Sequence, residues 1–166
     1  NNNLKEIIYL ILERNLKIRG SSKLINKAIP GLIPEFNVAL ANNYNEKTKK
    51  KVDFKKDVWC ASRKLDGVRC LIVVNEKGKA ASYSRAGKQF QTLRLIEQEI
   101  ESLGFKNIVY DGEMCIVDDN GNEDFQNVMK EINRKDHTIQ NGTFQVFDYI
   151  PYRMFSKGYG EAGTFT

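Results

Sequence analysis

"SRKLDGVRCLIVVN", residues 62–75, changes character halfway: charged residues crowd around Gly67, and an apolar, largely β-branched run follows. The second half reads as a strand, which "EKGK" joins to "AASYSR" in a hairpin. Ahead of it "VWCAS" reads as another strand, so Lys64 is expected where a buried strand passes into a tight turn at Gly67. Arg63 and Arg69 lie close by in sequence, and like charge would disfavour the cationic form of Lys64 and leave some neutral, nucleophilic amine. The same arginines could hold phosphate oxygens. A lysine so placed can attack phosphorus if a metal and cations take up the charge developing on the phosphate and the leaving group. The bland alternative is an exposed turn whose charges face water. K-x-D-G-x-R fixes four positions; at roughly five to seven per cent usage each, a chance match in a chain this long is on the order of one in a thousand.

Downstream the pattern stays rich in strands. Leu93 to Leu103 reads as a helix, "NIVYDGEMCIV" as a strand with turn residues Asp118 to Gly121 after it, Phe125 to Ile132 as a helix and "TFQVFDYI" as a strand. Upstream it is helical. Leu4, Ile7, Ile8, Ile11 and Leu12 recur at helical spacing between Leu4 and Leu16. Gly20 ends that helix, Ser21 or Ser22 caps a short one over Lys23 to Ala28, and Pro30 and Pro34 close it. Asn42 to Lys56 is polar and lysine-rich and marks a boundary. The expected organisation is a helical segment over 1–41, a basic linker over 42–56 and a mixed α+β region over 57–166, whose Gly-rich tail from Gly158 carries little core.

The chain's 166 residues suffice for one domain with a core, or one domain and a piece of another. It begins with Asn1 rather than Met, so both ends are expected to be cut from a longer protein. No signal peptide is visible, and the longest mainly apolar run, Ile7 to Leu12, is too short to span a bilayer. A soluble, cytoplasmic protein is expected. Cys60, Cys70 and Cys115 are odd in number, have no C-x-x-C spacing and fall in strand-like stretches, so buried reduced thiols are expected. His137 stands in a polar stretch without a second imidazole or a Cys pair, which argues against zinc. Net charge is +5, unevenly spread: residues 1–58 hold 12 Lys and Arg against 6 Asp and Glu, and residues 59–166 hold 14 against 15. A basic block of this kind suits phosphates or an acidic surface, although a run such as Lys47 to Lys51 is as often a solvated loop.

Three further stretches could carry chemistry. In "VYDGEM" the period of two puts Asp111 and Glu113 on one face of a strand, where a carboxylate pair suits a divalent cation or a ribose hydroxyl. In "FQVFDYI" Phe147 would share a face with Gln145 and Tyr149, and could offer a flat surface to a purine, with core packing as the default. In "YSRAGK" Ser84 and Arg85 end a strand before Gly87.

In this order, "KLDGVR", "SRAGK", "YDGEM" and "FQVFDYI" resemble the first motifs of the ATP-dependent DNA ligase family, within the covalent nucleotidyltransferases. "INKAIPGLIPE" resembles the segment that leads from the helical DNA-binding domain of T-even phage-type ligases into their adenylation domain. The resemblance implies an α+β adenylation domain, ATP-grasp-like, of two mainly antiparallel sheets with helices enclosing the nucleotide cleft. It implies adenylation of a lysine by ATP, transfer of AMP to the 5′-phosphate at a nick in duplex DNA, and attack by the 3′-hydroxyl, as used in replication, repair and recombination. By position, Lys64 would be the adenylated nucleophile, and Asp66 would support the transferred phosphate and its metal. Arg69 and Arg85 would contact nucleotide and nick phosphate, Glu113 would bind ribose or Mg²⁺, and Phe147 would pack on adenine. Ser62 stands where many family members carry Glu or Gln.

The family's later E-G-x-x-x-K motif, its paired lysines and its oligonucleotide-binding barrel are not among these residues. The isolated chain is therefore expected to adenylate weakly or not at all, and the full-length parent to act as a monomer in the cytoplasm of a bacterium or phage-infected cell. Two other families of activity share the lysine motif: RNA ligases, and capping enzymes that use GTP. RNA-ligase relatives often replace the aspartate and arginine of the first motif, and here Asp66 and Arg69 are kept. A non-catalytic DNA-binding module is the alternative from another class.

Overall fold

In the computed structural model, the described residues are 2–12, 22–30, 32, 38 and 40–158. They fall into two units, Asn1–Glu35 and Phe36–Thr166. In the first, apolar spacing yields α1 (Asn2–Leu12), on which Leu4, Ile7 and Ile8 are exposed, and α2 (Ser22–Ala28). The expected continuation of the first helix to Leu16, its stop at Gly20, the Ser21 cap and Pro34 lie outside the described residues. In the second, a turn of helix, α3 (Glu46–Lys49), interrupts the segment expected as a linker. Asn45 Oδ1 accepts from the amides of Lys47 and Thr48 at 2.9 and 3.2 Å, and Thr48 Oγ1 accepts from the Asn45 amide at 2.8 Å. That reciprocal cap lets a lysine-rich run start a helix.

The remainder is β1 (Val68–Val74), β2 (Ala80–Ser84), α4 (Arg94–Ser102), β3 (Ile108–Cys115), α5 (Phe125–Ile132), β4 (Thr143–Pro151) and α6 (Tyr152–Phe155). The strands form one antiparallel sheet in the order β2-β1-β3-β4; the mixed helical and antiparallel class is as expected, with one sheet among the described residues where two were expected. The hairpin forms at Asn75, whose side chain accepts from the amides of Lys77 and Lys79, both at 2.9 Å, while Gly78 takes the positive φ that the turn needs. "VWCAS" is not a strand: residues 58–62 lie outside any ladder, Val58 is 96% exposed, and Trp59 instead packs on Phe54 with ring centroids 4.8 Å apart. A strand-like composition still needs a free sheet edge, and both sides of β1 are taken, by β2 and β3. Lys64 therefore sits on an exposed extended segment rather than at the end of a buried strand, and Cys60 is exposed, against expectation. Cys70 and Cys115 are buried; burial pushes both thiols up, that of Cys115 to about 11.

One sheet face is covered by helices. Cys70, Ile72 and Val74 of β1 and Tyr110 and Met114 of β3 meet Ile96 and Ile100 of α4 and Val128 and Ile132 of α5 in one apolar cluster. The helix also closes an edge. Along β2 the outward amides recur every second residue, about 6.6 Å apart, and Glu97 and Glu101 recur every four along α4, about 6.0 Å. Glu97 accepts from the amide and hydroxyl of Ser82 at 2.9 and 2.7 Å, and Glu101 accepts from the Ala80 amide at 3.1 Å. Carboxylates thus occupy donors that an open edge would offer to another chain.

The Ala80 amide foremost, with Lys79 and Arg94, lowers the Glu101 carboxyl from 4.5 to about 2. A depressed carboxylate contributes stability above its unfolded value that is lost as pH falls through its folded one. Urea midpoints of the wild type should therefore drop between pH 4.5 and about 2. Glu101→Gln should be less stable at neutral pH and show a shallower drop over that window.

Candidate active site

β1 and β3 pair so that Arg69 lies opposite Glu113 and Leu71 opposite Asp111. Directly paired residues share a face, so Arg69, Asp111 and Glu113 stand together on the side away from the helical core. Arg69 donates to Asp111 through both ends of its fork, Nε to Oδ1 at 2.5 Å and Nη2 to Oδ2 at 2.6 Å. Their side chains are 25% and 14% exposed, so this is a partly dehydrated, bidentate pair and stronger than a surface ion pair. The hydrogen bond to Asp111 raises the guanidinium further above its already high value. Its flat side lies 4.6 Å from the centre of the Phe147 ring.

Phe147 reaches that position through a bulge. Asp111 pairs with Asp148 and Gly112 with Val146, which leaves Phe147 as the extra residue of β4. The interruption corrects one expectation: Tyr149 pairs with Tyr110, which belongs to the core, and so leaves the face that Phe147 and Gln145 occupy. Phe147 remains 42% exposed.

Residues 62–66 lead into β1 without ladder partners and are bonded from elsewhere. Glu123 bonds Arg63 and also accepts from the Asp66 amide at 2.6 Å, so one carboxylate grips the loop on both sides of Lys64. The Asp66 amide first, and then Arg63, hold this carboxyl below the usual range against the opposing effect of burial. Gly67 closes the loop onto β3: a Cβ there would stand 2.4 Å from the Met114 carbonyl oxygen and 2.8 Å from Glu113 Cγ. Burial pushes the Glu113 carboxyl up, while Arg69 and Lys64 pull it down and Asp111 and Asp66 add to the rise. The charges of Lys64, Asp66 and Arg69 are thus all felt at Glu113.

Arg85 is exposed in the turn after β2; Ser84 pairs with Cys70, which sets that turn at the Arg69 end of the sheet. The arginines flanking Lys64 do not form the bare cationic cluster the sequence suggests. Arg63 is matched by Glu123 and Arg69 by Asp111, partners 60 and 42 residues away. Glu123 is the residue that sequence reading misses; it stands in a polar stretch where nothing local distinguishes it from a solvated carboxylate.

A chain with this sheet and this lysine loop has known counterparts. The family described as "ATP dependent DNA ligase domain" matches residues 38–156, and the chain belongs to it. The DNA ligases of Enterobacteria phages T4 and T6 are each 35% identical to it over 98 residues, 57% of this chain and 20% of theirs. The solved structure "Pmar-Lig_PreS3" superposes with a TM-score of 0.60 at 29% identity, over 90% of this chain and 34% of that one. The chain therefore spans a fifth to a third of the length of these relatives.

The close approach at Gly67 makes Gly67→Ala cost about 1–3 kcal/mol, read as a lower urea midpoint, because the carbonyl it meets belongs to a paired strand. Asp111→Ala strands the Arg69 charge and should cost on the order of 2 kcal/mol. In a double-mutant cycle, Arg69→Met with Asp111→Ala should cost less than the sum of the two changes made singly.

Proposed function

We propose that the chain carries the nucleotide-loading half of a DNA ligase, with Lys64 as the residue that becomes bonded to AMP. The Lys64 amine would attack the α-phosphorus of ATP, forming a nitrogen–phosphorus bond as the bond to pyrophosphate breaks and the amine gives up its proton. Transfer of AMP to the 5′-phosphate at a nick, and attack by the 3′-hydroxyl with release of AMP, would complete sealing. The observation that supports this reading is the β1–β3 register, which sets Arg69 opposite Glu113, together with the pull of the nearby Lys64 charge on the Glu113 carboxyl.

Roles then follow from position. Asp66 and Glu113 would face the α-phosphate and the ribose or metal, Arg69 and the exposed Arg85 the nucleotide and the nick phosphate, and Phe147 the adenine. The Arg69 clamp on Asp111 leaves one flat side of Phe147 to Arg69, so adenine would pack on the other. Among the described residues no three His, Cys, Asp or Glu side chains gather as a metal site. A single carboxylate with substrate phosphates still suits Mg²⁺, which takes one or two carboxylates and keeps phosphate and water as its other ligands. Glu113 would hold it, and the ion would neutralise charge on the phosphate oxygens.

Residues 1–41 would be the end of a helical DNA-binding domain, 42–56 a linker and 57–166 the first part of the adenylation domain. Nicked duplex DNA would be held largely through phosphates, with the exposed Lys47, Lys49, Lys50 and Lys51 among the contacts and a strong dependence on salt. A cytoplasmic monomer is the form proposed. Among the described residues no helix is long and apolar enough to cross a membrane.

Full-length natural protein containing these residues, incubated with ATP labelled at the α-phosphate, should retain label after denaturation, and Lys64→Ala should abolish it. GTP should label it poorly, which separates this reading from a capping enzyme. No label from ATP, or label that survives Lys64→Ala, overturns the proposal.

A further inference from the structure

Glu123 has no role in the motifs above, yet its carboxylate makes the contacts that tie the lysine loop to the rest of the fold. It accepts from the Asp66 amide and bonds the Arg63 guanidinium, partners 57 and 60 residues away in sequence and on either side of Lys64. The anchoring end is firm. Glu123 forms a bridge with Val117, and between them Asp118 accepts from the amides of Asn120 and Asn122 at 2.9 and 2.8 Å. The next residue, Asp124, donates its amide to Ile116 at 2.8 Å and caps α5 by accepting from Asn127 at 2.9 Å. The Glu123 side chain is 10% exposed, whereas that of Arg63 is 71% exposed. A carboxylate on a hydrogen-bonded corner therefore holds a loop that makes no ladder pairs of its own.

We infer that Glu123 is a positioning residue for Lys64: bonded to the Asp66 amide and to Arg63, it fixes the loop that carries the amine from both sides. The inference rests on the lysyl-AMP reading. Its energetics are local. An ion pair with one mostly exposed partner adds little to global stability, so losing it frees the loop more than it unfolds the sheet. Orientation of a nucleophile is sensitive to such freedom, since a misplacement of about 1 Å can cost about 10²-fold in rate.

The test uses the full-length protein and two readouts. In single-turnover labelling with ATP, Glu123→Ala should lower the rate of Lys64 adenylation at saturating ATP by about 10–100-fold, with the KM for ATP within about threefold of wild type. Glu123→Gln, which keeps an acceptor for the Asp66 amide, should recover part of the rate. In amide hydrogen exchange without nucleotide, Asp66 should exchange faster in Glu123→Ala, while amides of β1 keep wild-type protection. Should Glu123→Ala fail to fold, Glu123→Gln carries the comparison: a slower rate at wild-type stability supports the inference. A wild-type rate in either folded variant, or unchanged Asp66 exchange in folded Glu123→Ala, overturns it. If wild-type protein takes no label, the lysyl-AMP reading falls, and Asp66 exchange still decides whether Glu123 holds the loop.

Discussion

The seven-residue pairing of β1 with β3 is the constraint on which the geometry of the candidate site depends. It aligns Arg69 with Glu113, puts Asp111 one diagonal step away, and turns these three side chains to the face opposite the helices. A shift of one residue would send the charges into the cluster formed by Cys70, Ile72, Val74, Tyr110 and Met114, so burial of the apolar set fixes the register. The same alternation puts Arg69, Asp111 and Glu113 on the other face, which they share with the buried Leu71 and Val109. Arg69 and Asp111 then lock their positions by a two-pronged hydrogen bond, and Phe147, pushed out by the bulge in β4, lies against the guanidinium.

The lysine loop is attached to this frame at separate points. Gly67 brings it within backbone contact of β3, and Glu123 holds it through Arg63 and the Asp66 amide. Arg63 and Arg69, which flank Lys64 in sequence, are each paired with a carboxylate, Glu123 and Asp111. Crowding by arginines does not act on Lys64 as unopposed like charge. Around the exposed Lys64 the fold sets a mixed field of charges, in which a polyphosphate would enter as the large excess of negative charge.

Much of this was legible in sequence because it is local. The run after Gly67, the Asn75 hairpin, β3, α4, α5 and β4 each announce themselves by the period of their apolar residues and by their turn residues. The motif residues follow, since Lys64, Asp66 and Arg69 travel together on one short stretch. What escaped is what depends on distant chain. "VWCAS" has the composition of a strand, yet the strand it leads into is already paired on both sides; Arg63 and Arg69 look unpaired until partners 60 and 42 residues away arrive; and the bulge at Phe147 hides inside an apparently regular alternation. The helix in the lysine run is different, for Asn45 and Thr48 form a legible capping pair that the surrounding charge obscured.

That Lys64 is the amine which meets ATP is the central claim, and residue-resolved labelling of the full-length protein with an amine-reactive reagent tests it most directly. Labelling with and without ATP and Mg²⁺, followed by peptide mass spectrometry, compares Lys64 with Lys47 to Lys51 in the same sample. The account predicts that ATP shields Lys64 while the lysines of the basic run label as before. Equal labelling of Lys64 in the presence and absence of ATP would contradict it.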